Sequence, residues 1–135
     1  MAMLAPELPS AIGWYRTFLL EQRRFTRGEI LIRLEWIEDF CNFVARRRTV
    51  DEVMVRDVVC YFAEKADMFD KPYEWYSRYK AIEGFCDDLV ETEQLAANKL
   101  KGIYDDGDVE PYNAQEPVYK VPAVPVNWSR IESVY

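Results

Sequence analysis

The stretch Thr26-Arg27-Gly28-Glu29-Ile30-Leu31-Ile32-Arg33-Leu34-Glu35-Trp36-Ile37-Glu38-Asp39-Phe40-Cys41-Asn42-Phe43-Val44 carries the clearest structural signal in the chain. Its apolar residues Ile30, Leu34, Ile37, Cys41 and Val44 recur at steps of four, three, four and three. That rhythm places them along one face of an α-helix, whereas a half-buried strand would alternate residue by residue. Thr26 stands where an N-cap is needed, because its hydroxyl can accept a bond from a backbone N–H of the first turn. The spacing predicts a long helix from Thr26 to near Arg46-Arg47-Arg48. Three arginines in a last turn suit the negative end of the helix dipole at least as well as they suit a phosphate.

Upstream, Pro6 and Pro9 precede Ser10, which reads as the cap of a first helix reaching about Arg24. Ile12, Tyr15 and Leu19 share one side of it, with Trp14 and Phe18 beside them. Downstream, Thr49-Val50-Asp51-Glu52 has the spacing of a capping box, or is only a turn; the apolar pattern resumes at Val55, Val58, Val59 and Phe62, predicting a third helix at about 54–66. Asp70-Lys71-Pro72 offers a cap and an early proline for a fourth. In that helix Trp75, Tyr79, Ile82, Cys86 and Leu89 again step by four, three, four and three. A short helical turn over Glu93–Leu100 is expected to follow. No alternating stretch argues for a sheet, so the fold class is all-α, with four helices.

From about Gly102 the character changes. Asp105-Asp106-Gly107-Asp108 reads as a turn, and Pro111, Pro117, Pro122 and Pro125 favour extended backbone. Two segments follow: a helical domain at 1–101 and a proline-containing linker or arm at 102–135. The arm's Tyr112, Tyr119 and Trp128 are too apolar for an inert spacer and predict docking on its own domain or on a partner.

Composition bounds the chemistry. Half of the 135 residues are hydrophobic and 15% aromatic, enough for one modest core and too much for a disordered chain. No apolar run approaches the roughly 18 residues of a bilayer span, and MAMLAPELPS lacks the pattern of a signal peptide, so a cytoplasmic protein without membrane contact is expected. Cys41, Cys60 and Cys86 are odd in number and each lies among apolar residues, which predicts buried reduced thiols. The chain has no histidine. That removes Ser-His and Cys-His nucleophile pairs, histidine metal ligands and imidazole acid–base catalysis. Without a glycine-rich phosphate loop or an acidic metal spacing, nothing marks an enzyme: no catalytic residue, metal site or cofactor is expected. Net charge is −7, and from residue 61 onward eight cations face fifteen carboxylates.

Three segments, in order, resemble one family. Phe25-Thr26-Arg27-Gly28 followed by Ile30, Ile37, Phe40, Phe43 and Val44 looks like the opening of the core-binding domain of tyrosine recombinases and phage integrases. Val50-Asp51-Glu52-Val53, then Asp57-Val58 and Tyr61-Phe62, is similar to the family's next segment: an aliphatic turn, an Asp before an aliphatic residue, and an aromatic. Tyr79-Lys80-Ala81-Ile82-Glu83-Gly84-Phe85-Cys86-Asp87-Asp88-Leu89-Val90, then Leu95-Ala96-Ala97-Asn98, resembles the helix that runs into a chain reversal and an Asn-Pro. Lys99 replaces that proline, Arg33 stands where an aromatic is common, and Glu29 and Glu83 fall near surfaces that would meet phosphates. The run from Glu116 to Glu132 more loosely resembles the linker into the catalytic domain. That domain, with its catalytic arginines, lysine, histidines and nucleophilic tyrosine, has no counterpart in these residues, and Tyr135 is not expected to be a nucleophile.

The resemblance implies a SAM-like orthogonal four-helix bundle with an extended C-terminal arm, and a non-catalytic module that binds double-stranded DNA in integration or recombination. In the family two helices meet the duplex, here the second and fourth. Thr26 and Arg27 at the start of the second, and Tyr73, Ser77, Arg78 and Lys80 on the fourth, are the implied DNA contacts. Each has an ordinary reading beside it: Thr26 as a cap, Lys80 as a solvated charge, Arg33 and Arg78 as stems laid on the core beside acids. The alternative is an acidic protein-interaction module that pairs with a recombinase or another DNA-binding protein.

Overall fold

A computed structural model describes residues 5–69 and 74–105. Among them are four α-helices: α1 (Leu8–Gln22), α2 (Arg27–Phe43), α3 (Val55–Lys65) and α4 (Glu74–Glu91), with short 3-10 turns at Val50–Glu52 and Ala66–Met68. No strand occurs among the described residues beyond a lone antiparallel bridge between Glu7 and Thr49. Among the described residues the fold is all-α and helical, as the periodicity predicts. The arm expected from residue 102 lies almost wholly outside the described residues, as do Asp70-Lys71-Pro72. None of the described helices is long and apolar enough to cross a membrane.

The described residues fall into two compact units, one within Met1–Val53 and Ala81–Asn98, the other within Met54–Lys80 and Lys99–Tyr135. Helix α4 contributes to both.

In the first unit α1 and α2 form a helical hairpin. Leu8, Ala11, Tyr15 and Leu19 are buried on α1, and the whole stripe is buried too: Ile30, Leu34, Ile37 and Cys41 on α2, and Val44 at its C-cap. Phe85 of α4 lies 5.0 Å from the Tyr15 ring, centre to centre. Each Leu, Ile, Val or Phe side chain among them contributes roughly 1.5–3 kcal/mol on removal from water, before entropy is counted. The first helix begins earlier than Ser10: its N-cap is Glu7, and Pro9 sits in the first turn, where a missing N–H costs nothing. The second ends earlier, at Phe43. Arg46-Arg47-Arg48 therefore lie beyond the helix rather than in its last turn. The cause is tertiary: the chain after Val44 turns back so that Arg48 O accepts from Leu8 N at 3.1 Å and Val50 N donates to Pro6 O at 3.0 Å. At Thr49–Glu52 the turn reading holds, and the Thr49 hydroxyl donates to the carboxylates of Asp51 and Glu52.

The second unit is an aromatic cluster. The Phe62 ring centre lies 5.7 to 6.3 Å from those of Phe69, Trp75, Tyr79 and Tyr104. Asp57, almost fully buried at 1% exposure, accepts from Met54 N at 2.8 Å and so satisfies a donor at the start of α3. The Tyr79 hydroxyl donates to Leu100 O at 2.6 Å and accepts from Ile103 N at 2.9 Å, fastening the segment after α4. Ile103 and Tyr104 are accordingly buried.

No helix forms over Glu93–Leu100. Glu93 adopts a left-handed conformation, φ 63°, and Gln94 N donates back to Leu89 O at 2.8 Å while Glu93 N donates to Val90 O at 3.0 Å. That pair of bonds is a Schellman stop, here closed without glycine. Asn98 then donates to Glu83 O and to Asp87 Oδ1, each at 3.0 Å, tying the reversed chain to α4.

Candidate nucleic-acid interface

The implied contacts divide between the two units. Thr26 and Arg27 belong to the first, Ser77, Arg78 and Lys80 to the second, and Tyr73 lies outside the described residues.

At the start of α2 the Thr26 hydroxyl accepts from Glu29 N at 3.2 Å and donates to Glu29 Oε1 at 3.1 Å. Thr26 is thus the cap its position predicts. The Glu29 carboxylate already supplies the negative charge that the helix N-terminus favours, and a phosphate must compete with it. Arg27 is exposed beside this cap. Arg33 is half-buried, its guanidinium 4.0 Å from the centre of the Phe25 ring, a cation–π contact.

On α4, Trp75, Tyr79 and Ile82 are fully buried and Ser77 and Lys80 face solvent. Arg78 is half-buried: it donates to the Tyr61 hydroxyl at 2.8 Å, and its guanidinium lies 5.3 Å from the Phe69 ring centre. It is committed to the packing of its own unit, in line with the reading of its stem as laid on the core.

Acidic residues are also placed differently from expectation. Glu83 is buried rather than set at a phosphate-facing surface, and Asp87 is engaged by Asn98. Asp88, buried at 6% exposure, accepts a 2.6 Å bond from the Tyr15 hydroxyl and pairs with Arg24 at 3.3 Å. Burial, then the bond to Asp88, raises the Tyr15 pKa well above its ordinary value. Sequence reading passed over this network because its partners stand 73 positions apart. The thiols divide as well: Cys41 and Cys86 are buried, while Cys60 is exposed, against expectation. Burial pushes the Cys41 thiol up to about 12 and raises Cys86 too, so neither supplies a thiolate at neutral pH.

What remains outward is a cation at the start of α2, a hydroxyl and a cation on α4, and the arginines after α2. Groups of this kind can hold phosphates. No protein-family model matches the chain, and no curated protein or solved structure matches it either.

Proposed function

We propose that this chain is a non-catalytic, cytoplasmic DNA-binding module of the kind that precedes the catalytic domain in tyrosine recombinases, serving DNA integration or recombination. The observation that carries the reading is α4, which turns Ser77 and Lys80 to solvent opposite the buried Trp75, Tyr79 and Ile82. Exposed Arg27 at the capped start of α2 supports it, and Tyr73 belongs to the same proposed set. Arg78 enters the reading as a residue that steadies α4 through Tyr61.

Fluorescence anisotropy with a labelled duplex tests the proposal. Binding is expected at low salt, falling steeply as salt rises. Lys80→Glu or Arg27→Glu should weaken it and flatten the salt dependence by about one unit of slope. Absence of binding to any duplex at low salt overturns the reading.

The acidic balance favours a second one: a protein-interaction module that pairs with a recombinase or another DNA-binding protein. Net charge of −7 attracts basic partners and opposes phosphate. Capture of a purified recombinase by a chain that retains no duplex affinity would select it.

A further inference from the structure

We infer that the crevice between α1 and α2 is a docking groove for a cationic amphipathic helix of a partner protein. Two hollows of about 320 and 450 Å³ lie along this helix pair and share Arg16, Glu38 and Asn42, so they form one continuous groove. On α2 it extends from Leu31 to Asn42, about 16 Å at 1.5 Å per residue, and it continues to the turn at Arg47, so it has room for at least three turns of a second helix.

Its chemistry is that of a half-made helix interface. Leu34 and Cys41 give it an apolar floor, and Leu31, off the buried stripe of α2, stands 66% exposed at one end. Gly13 leaves the middle open: a Cβ built there meets nothing within 4 Å.

Charge selects the occupant. Glu35 and Glu38 are exposed on the α2 wall, and neither forms an ion pair among the described residues. Asp39 adds a third carboxylate to the lining, against the cations Arg16 and Arg47. A helix that buries an apolar face here meets carboxylates along one flank and matches them with lysine or arginine. A second copy of the chain is a poor fit, because it brings the same net charge of −7. Arg16, on the opposite wall, favours an acidic residue on the helix's other flank and so fixes its direction.

The probe is a fluorescein-labelled helical peptide of about 16 residues, with leucines at i, i+3 and i+4 and lysines on one flank, titrated with the full chain. The lysine peptide should bind, and the same peptide with glutamates in place of the lysines should not. Glu35→Lys with Glu38→Lys should weaken binding about tenfold, since two exposed charge pairs become repulsive. Gly13→Leu should abolish it by filling the groove, while improving the propensity of α1 and leaving duplex binding through Arg27 and Lys80 unchanged. That last control separates this inference from the DNA reading. Equal binding of both peptides, no binding of the lysine peptide, or full binding by Gly13→Leu overturns it, as does a dimer of the chain that Gly13→Leu disperses in sedimentation.

Discussion

Replacing Tyr15 by phenylalanine removes one oxygen from the interior of the first unit and tests what holds Asp88 in place. The ring stays, with its neighbours Trp14, Phe18 and Phe85 at 5.0 to 5.9 Å, so no cavity of consequence opens. What is lost is a 2.6 Å bond to a carboxylate that is 6% exposed. Hydrogen bonds to charged groups contribute about 1.5–3 kcal/mol. Arg24 stays beside Asp88 at 3.3 Å but is half exposed, so it offsets only part of the loss. The expected cost is about 2 kcal/mol, or a fall of roughly 6–10 °C in Tm for a chain of this size. Urea and thermal unfolding followed by circular dichroism at neutral pH measure it.

The same bond carries a pH signature. Tyr15 keeps its proton in the folded state well above the ordinary 10.0, whereas in the unfolded chain it releases the proton near that value. The stability it contributes is therefore complete below about pH 10 and declines as pH rises beyond. The gap between wild type and Tyr15→Phe should narrow across that range. A gap under about 0.5 kcal/mol at neutral pH, or one that stays constant from about pH 9 to 11, refutes the reasoning.

Glu93→Gly should raise stability by about 0.5–1 kcal/mol, because glycine adopts the left-handed stop of α4 without the Cβ clash; a lower Tm than wild type would refute it. A disulfide reagent at mildly alkaline pH should label one of the three thiols rapidly, and Cys60→Ser should remove that fast phase. Cys41 and Cys86 should react only at the rate of unfolding, so two fast thiols in the folded protein would contradict their burial.

The helices were legible wherever burial repeats with the helical period. Ile30, Leu34, Ile37 and Cys41 of α2 and Val44 at its C-cap are all buried, and so are Trp75, Tyr79, Ile82, Cys86 and Leu89 of α4. Cys60 misled because it stands inside the apolar run Val58-Val59-Cys60-Tyr61-Phe62, where composition hides which face turns inward. Helical geometry buries Val58, Tyr61 and Phe62 and leaves Cys60 outside. Helix ends were less legible, since the end of α2 depends on backbone bonds to residues near the N-terminus and the end of α4 on a glutamate in a conformation that usually signals glycine.

Within the candidate interface, Thr26 was readable as a cap because capping is local. Arg78 was not readable as an internal donor: its partner Tyr61 lies on another helix, 17 positions away. Buried carboxylates fared worst, because Asp57, Glu83 and Asp88 look like surface residues until their donors are known. The groove between α1 and α2 was hidden for the opposite reason. Its lining mixes charged and apolar residues and has no sequence period of its own.

The hydroxyl of Tyr79 has a mechanical meaning beyond the stability of its unit. By donating to Leu100 O and accepting from Ile103 N, it holds two points three residues apart on the segment after α4 against one side chain of that helix. One phenolic oxygen thus works as a clasp: the bonds at Leu100 and Ile103 share it, so losing that single atom releases both together.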